Sequence, residues 1–201
     1  MFRRGTGHLM EARFIISAAR PDQFPNGDGP ALPEVAFLGR SNVGKSSLLN
    51  ALIGTPGLAF TSSRPGCTQL INFYRIGDAM VFADLPGYGF ARVPPEKKQE
   101  WKRLIDAYLQ QRKPLALCVI LLDARRGWMD SDLELKEWLE FHGRPYVVAA
   151  TKTDKLKSQS EQYRSGKALR EHYPDGQLVM ASATTGRGVK ELWQAIWRIK
   201  E

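Results

Sequence analysis

Gly39-Arg40-Ser41-Asn42-Val43-Gly44-Lys45-Ser46 sets two glycines, a lysine and a hydroxyl at the spacing G-x-x-x-x-G-K-[ST]. Glycines at these positions let the backbone close round a polyphosphate, with amide N–H groups and a helix N-terminus turned toward the negative charge. Lys45 would reach the β- and γ-phosphates, and the Ser46 hydroxyl would hold Mg²⁺. Ser47, the next residue, joins the nucleotide-contacting set. The context suits the chemistry. Residues 35–38 form a short apolar run, and residues 45–53 are helix-compatible and closed by Gly54. On this reading Lys45 serves the ligand, so replacing it by Ala removes nucleotide binding or turnover with little loss of fold.

Three further segments fit one nucleotide site. Asp84-Leu85-Pro86-Gly87 closes an apolar strand. There a carboxylate can address Mg²⁺ through water and the Gly87 N–H can meet a γ-phosphate; a plain turn is the alternative. Thr151-Lys152-Thr153-Asp154 follows another apolar run. Its carboxylate can accept from guanine N1–H and the 2-amino group, a pair of donors that adenine lacks. Such recognition discriminates because the wrong base leaves the carboxylate unpaired. Ser182-Ala183-Thr184 either offers a backbone N–H to the guanine O6 or caps the helix that follows. Thr68, in the loop after the first helix, either completes the Mg²⁺ shell when a γ-phosphate is present or stabilises a turn. In the first case residues 57–69 and 87–95 are two nucleotide-ordered switches, with Gly66 and Cys67 beside the ligand.

The elements that must position these residues alternate between short β-branched runs and amphipathic stretches, the pattern of an α/β fold. Strands are expected at 12–17, 34–38, 69–76, 79–84, 115–122, 146–150 and 178–181. Helices are expected from Lys45, around Trp101, Leu104, Ile105, Tyr108 and Leu109, at 130–141, at 161–171, and around Val189, Leu192, Trp193 and Ile196. Gly77-Asp78 predicts a hairpin, so one strand runs antiparallel in a six- to seven-stranded, mostly parallel sheet with helices on both faces. Residues 1–33 read as an N-terminal strand and loop packing on a domain spanning 34–201. Tryptophans at 101, 138, 193 and 197 fall in helices, where packing outweighs base stacking.

The 201 residues suffice for one domain with a substantial core. No apolar run is long enough for a membrane span, and no signal-peptide pattern opens the chain, so the expected setting is the cytoplasm, without membrane association. Cys67 and Cys118 form no metal or disulfide pattern. The net charge of +8 favours polyanionic partners. Lys97, Lys98, Lys102 and Arg103 either contact RNA or form a solvated helix face.

Taken together, G-R-S-N-V-G-K-S, R-P-G-C-T-Q-L-I-N-F-Y, D-L-P-G-Y-G-F-A, T-K-T-D and S-A-T resemble the EngB (YihA/YsxC) family of bacterial ribosome-biogenesis GTPases, within the TrmE-Era-EngA-EngB-septin-like P-loop GTPases. The resemblance runs from about Phe14 to the C-terminus, and residues 64–74 with Tyr88-Gly89-Phe90 carry most of its specificity. It implies a Ras-like domain, GTP and GDP as ligands, Mg²⁺ dependence and slow intrinsic hydrolysis. It also implies a role in assembling the large (50S) ribosomal subunit, tied to cell division and septation, with that subunit or its precursor as partner and a monomeric state. Cys67 departs from the family, which has a basic residue there.

Ras-type enzymes place a water-orienting glutamine after D-x-x-G, where this chain has Tyr88. Turnover is therefore expected to be slow unless a partner supplies a residue or a monovalent cation stands in. Asn42 matches the asparagine with which related GTPases hold K⁺. The residues expected to act in hydrolysis are thus Lys45, Asn42, Thr68 and Gly87, with Ser46, Thr68 and Asp84 toward the metal. Two other classes stay open: an ATP-using kinase on the same loop, disfavoured by Asp154, and a ribosome- or RNA-docking module with little turnover.

Overall fold

The computed structural model describes residues 11–26, 31–59, 70–88 and 95–200. Seven strands form one sheet in the order β1-β3-β4-β2-β5-β6-β7. They are β1 (Ala12–Ala18), β2 (Glu34–Gly39), β3 (Ile71–Ile76), β4 (Met80–Asp84), β5 (Leu115–Asp123), β6 (Tyr146–Thr151) and β7 (Leu178–Met180). The helices are α1 (Lys45–Ile53), α2 (Pro95–Gln111), α3 (Asp130–Phe141), α4 (Gln159–Glu171) and α5 (Val189–Trp197). β3 alone runs against its neighbours, pairing antiparallel with both β1 and β4. The hairpin predicted at Gly77-Asp78 joins β3 to β4, with the Ala79 N–H donating to Ile76 O at 3.0 Å. β1 is therefore an edge strand of the main sheet itself.

The strands alternate side chains between two buried layers, as a sheet covered on both faces requires. Val35 and Phe37 of β2, with Val119 and Leu121 of β5, face one layer, closed by Leu48, Leu49 and Leu52 of α1 and Leu192, Trp193 and Ile196 of α5. Ala36, Leu38, Cys118, Ile120 and Leu122 face the other, closed by Leu104, Tyr108 and Leu109 of α2, Leu139 of α3 and Leu169 of α4. The apolar stripe expected on α2 and the packing role expected of Trp193 are both realised: the Trp193 ring is buried, and its Nε1–H donates to Leu52 O at 2.9 Å. Cys118 sits in the core, where burial pushes its thiol up to about 12.

Two features fix the ends of the sheet that matter for the site. Glu34 opens β2 while 2 % exposed, and it accepts from the Tyr108 hydroxyl at 2.9 Å and pairs with Arg112 at 2.5 Å, so the strand's amino end is anchored to α2. At the other end β2 lies between parallel partners, β4 and β5. The helix that follows β2, α1, covers one face of the sheet and the helix that follows β4, α2, covers the other, which opens a crevice beyond the strands' carboxyl ends.

Candidate nucleotide site

The phosphate-binding loop leaves β2 in that crevice and enters α1. Gly44 has φ 102° and Asn42 φ 62°, left-handed conformations that glycine adopts freely and asparagine tolerates. Neighbouring side chains hold the loop open: the Thr151 hydroxyl lies 2.5 Å from Val43 O, and Lys152 Nζ donates to Asn42 O at 2.5 Å. The two segments predicted from sequence to grip phosphate and base are thus joined before any ligand binds. Ser46 and Ser47 sit in the first turn of α1, Ser46 partly buried and Ser47 exposed.

Asp84 reaches the loop because β4 pairs with β2 in a register that sets Asp84 opposite Phe37, two residues before Gly39. Its carboxylate is 1 % exposed and ion-paired with Lys45, itself 9 % exposed. Lys45 therefore has a partner besides the ligand. This revises the expectation that replacing it costs little of the fold, since a buried carboxylate without a cation is costly.

Beyond Asp84 the chain turns against the loop. Leu85 is buried, and its N–H donates to Phe37 O at 3.1 Å. Pro86 carries the chain to Gly87, where a Cβ would fall 2.9 Å from Ser41 N, so only glycine allows this approach. The Ser41 hydroxyl donates to Gly87 O at 3.3 Å. Ser41 N–H donates to Tyr88 O at 3.1 Å, and Tyr88 N–H to Gly39 O at 3.3 Å. The Arg40 side chain turns toward α3, with Nε 3.3 Å from Asp132 Oδ2.

Thr151, Lys152, Thr153 and Asp154 follow β6. Thr153 is buried, and both its N–H, at 3.2 Å, and its hydroxyl, at 3.0 Å, donate to Ala181 O, tying this loop to the end of β7. There the buried Ser182 hydroxyl donates to Asp154 Oδ1 at 2.7 Å. That hydrogen bond, more than Lys155 nearby, holds the Asp154 carboxyl below the usual carboxylate range, so it is an acceptor at neutral pH. Ser182 also accepts from Thr185 N–H at 3.2 Å, and the N-cap of α5 is Gly188. Ser182, Ala183 and Thr184 therefore belong to a turn beside Asp154, and the helix-cap alternative does not hold.

Two acids escaped the sequence reading. Asp123 ends β5 as Asp84 ends β4, 4 % exposed, with Lys152 at 3.1 Å and Arg125 at 2.6 Å. Burial opposes its ionisation, but the hydrogen bonds from Arg125 and Lys152 prevail and keep it well below the usual range. Its signal was present: an acid closing a buried parallel strand at the crevice. Asp132, the second, carried none, since an acid in a helix's first turn is ordinary. Gly66, Cys67 and Thr68, most of residues 57–69, and Gly89 and Phe90 lie outside the described residues. Among the described residues no helix is long and apolar enough to cross a membrane.

Residues 34–152 match the protein family described as 50S ribosome-binding GTPase. The chain is 55 % identical over 187 residues to a probable GTP-binding protein EngB of Solibacter usitatus, covering 93 % of this chain and 95 % of that one. A crystal structure of a probable GTP-binding protein EngB superposes with a TM-score of 0.67 at 26 % identity, over 83 % of this chain and 97 % of the other. Era in complex with MgGDPNP and nucleotides of 16S ribosomal RNA shares the fold, with a TM-score of 0.67 at 24 % identity over 84 % of this chain and 57 % of that one.

Lys45→Ala is expected to abolish nucleotide binding and also to lower the stability of the nucleotide-free protein by about 3 kcal/mol, because Asp84 is left buried without its cation; urea unfolding measures the loss. Adding Asp84→Ala should recover part of it. Asp154→Asn should weaken GTP binding about 10- to 100-fold, the worth of the one hydrogen bond to a charged acceptor that is lost, and favour xanthosine nucleotides, whose 2-oxo group accepts a hydrogen bond. Unchanged GTP affinity in a titration would remove Asp154 from the base pocket.

Proposed function

Because the chain belongs to the EngB family of GTP-binding proteins and is a GTPase that binds GTP and GDP, we propose that it is a slow GTP-driven switch in assembly of the large ribosomal subunit. On this reading it works as a monomer in the cytoplasm, and its loss disturbs cell division and septation. The observation that carries the reading is the seating of Gly87 against the phosphate loop, at the position from which a third phosphate can be sensed. The family's description and the net charge of +8 support a ribosomal, RNA-rich partner.

The residues present fit Mg²⁺. The Ser46 hydroxyl and the Asp84 carboxylate are hard oxygen donors at the head of α1 and the end of β4, the donor class this ion prefers. Asp84 is buried with a cation already beside it, so its surroundings accept positive charge. Ser46 and Asp84, with Thr68, would hold the ion, which when bound neutralises charge between the β- and γ-phosphates. Lys45 then turns from Asp84 to the phosphates, and Asp154 and the Ser182 turn select guanine. Slow turnover follows from Tyr88, whose hydroxyl donates to Asp132 at 2.8 Å and leaves no water-orienting amide at that position. Asn42, in its left-handed conformation at the loop, is the proposed K⁺ ligand. GTP turnover should be several-fold faster in K⁺ than in Na⁺; equal rates would remove that role.

Sedimentation of the purified protein with ribosomal subunits, in GDP and in a non-hydrolysable GTP analogue at fixed salt, tests the switch. Retention on the large subunit with the analogue only is the expected result. Equal retention with both nucleotides would favour a docking module with little turnover, and retention with neither would point to another partner.

A further inference from the structure

Asp132 is fully buried, in the first turn of α3. A carboxylate there needs only the backbone N–H groups of its own helix end and can stay in water. Asp132 does take one such bond, from Met129 N–H at 3.1 Å. Its other partners come from the nucleotide site. Oδ1 accepts from the Tyr88 hydroxyl at 2.8 Å, and Oδ2 lies 3.3 Å from Arg40 Nε, an ion-pair separation outside hydrogen-bond geometry. One buried acid thus joins α3, the phosphate loop and the residue after Gly87. Burying that charge costs free energy that α3 by itself does not require.

Tyr88 is held at both ends. Its main chain forms a parallel bridge with Arg40, through Ser41 N–H to Tyr88 O and Tyr88 N–H to Gly39 O. Its hydroxyl is held by Asp132. Burial, reinforced by the Asp132 charge, pushes that hydroxyl well above the ordinary tyrosine range, so it remains a donor. Gly87, the residue before it, lies so near Ser41 that a Cβ on it would fall 2.9 Å from Ser41 N, and its carbonyl accepts from the Ser41 hydroxyl.

We propose that Asp132 is a positioning residue for recognition of the third phosphate: through Tyr88 and Arg40 it holds Gly87 beside the phosphate loop, so that its N–H is in place for a γ-phosphate and the protein favours GTP over GDP. GDP has no group at that position, so the contribution of Asp132 is confined to the triphosphate.

Affinities of the full chain for GDP and for guanosine 5′-(β,γ-imido)triphosphate, measured in Mg²⁺ with Tyr88→Phe, Asp132→Ala and the double variant, test this. Tyr88→Phe removes one hydroxyl and Asp132→Ala its acceptor. Each should weaken the triphosphate analogue about five- to tenfold, the size of a typical coupling between sites, while the GDP affinity stays within about twofold of the parent. Since the hydroxyl and its acceptor act as one contact, the double variant should be no worse than Asp132→Ala alone. Parallel losses for both nucleotides, or an analogue-to-GDP affinity ratio that is unchanged or raised, would overturn the proposal. If Asp132→Ala fails to bind GDP because it does not fold, Tyr88→Phe alone decides.

Discussion

The site depends on β2 being buried on both faces between two parallel neighbours. Val35 and Phe37 pack toward α1 and α5, and Ala36 and Leu38 toward α2 and α3, so the strand can neither slide nor rotate without exposing one set. That constraint delivers Gly39 to one point in space, and the register with β4 and β5 brings Asp84 and the end of β5 to the same level. The phosphate loop is consequently a rigid product of the core. Gly39 matters in it because neighbouring backbone closes round it: a Cβ there would fall 3.0 Å from Leu121 O.

Around this frame the site is a set of three buried acids, each with its own basic partner. Lys45 is matched by Asp84, Lys152 and Arg125 by Asp123, and Arg40 by Asp132. Left alone, each of these buried acids would be costly, so every pair ties together the segments that carry it. Lys152 spans the base-recognition loop, the phosphate loop and the end of β5. The Lys45–Asp84 pair has a different character, because both members belong to the proposed nucleotide site; on that reading a bound nucleotide would exchange partners that the protein already provides.

Most elements were legible because their periodicity and their stop signals agree. α3 runs over the 130–141 expected, and α1 ends before Gly54 as its sequence indicates. Boundaries moved where local pattern is weak: α4 starts at Gln159 because Ser158, whose side chain accepts from Glu161 N–H, caps it ahead of any apolar residue. Ser182 shows the limit of local reading. Read locally, its tripeptide suited either a helix cap or a base-contacting turn; the structure sets it beside Asp154, 28 residues away, and gives the cap of α5 to Gly188.

The sequence by itself determined that this is a GTP-binding P-loop domain, because phosphate and guanine recognition require fixed residue types at short spacings within continuous segments. It also determined the α/β alternation and the single antiparallel strand, since both are written in local periodicity and one turn. Only the tertiary structure decided how these segments depend on one another: that Lys45 answers Asp84, that Lys152 braces the phosphate loop, and that Asp132 reaches Tyr88 and Arg40. Those pairings join residues 39 to 110 positions apart, and the register of parallel strands, which no local pattern encodes, is what brings them within hydrogen-bond distance.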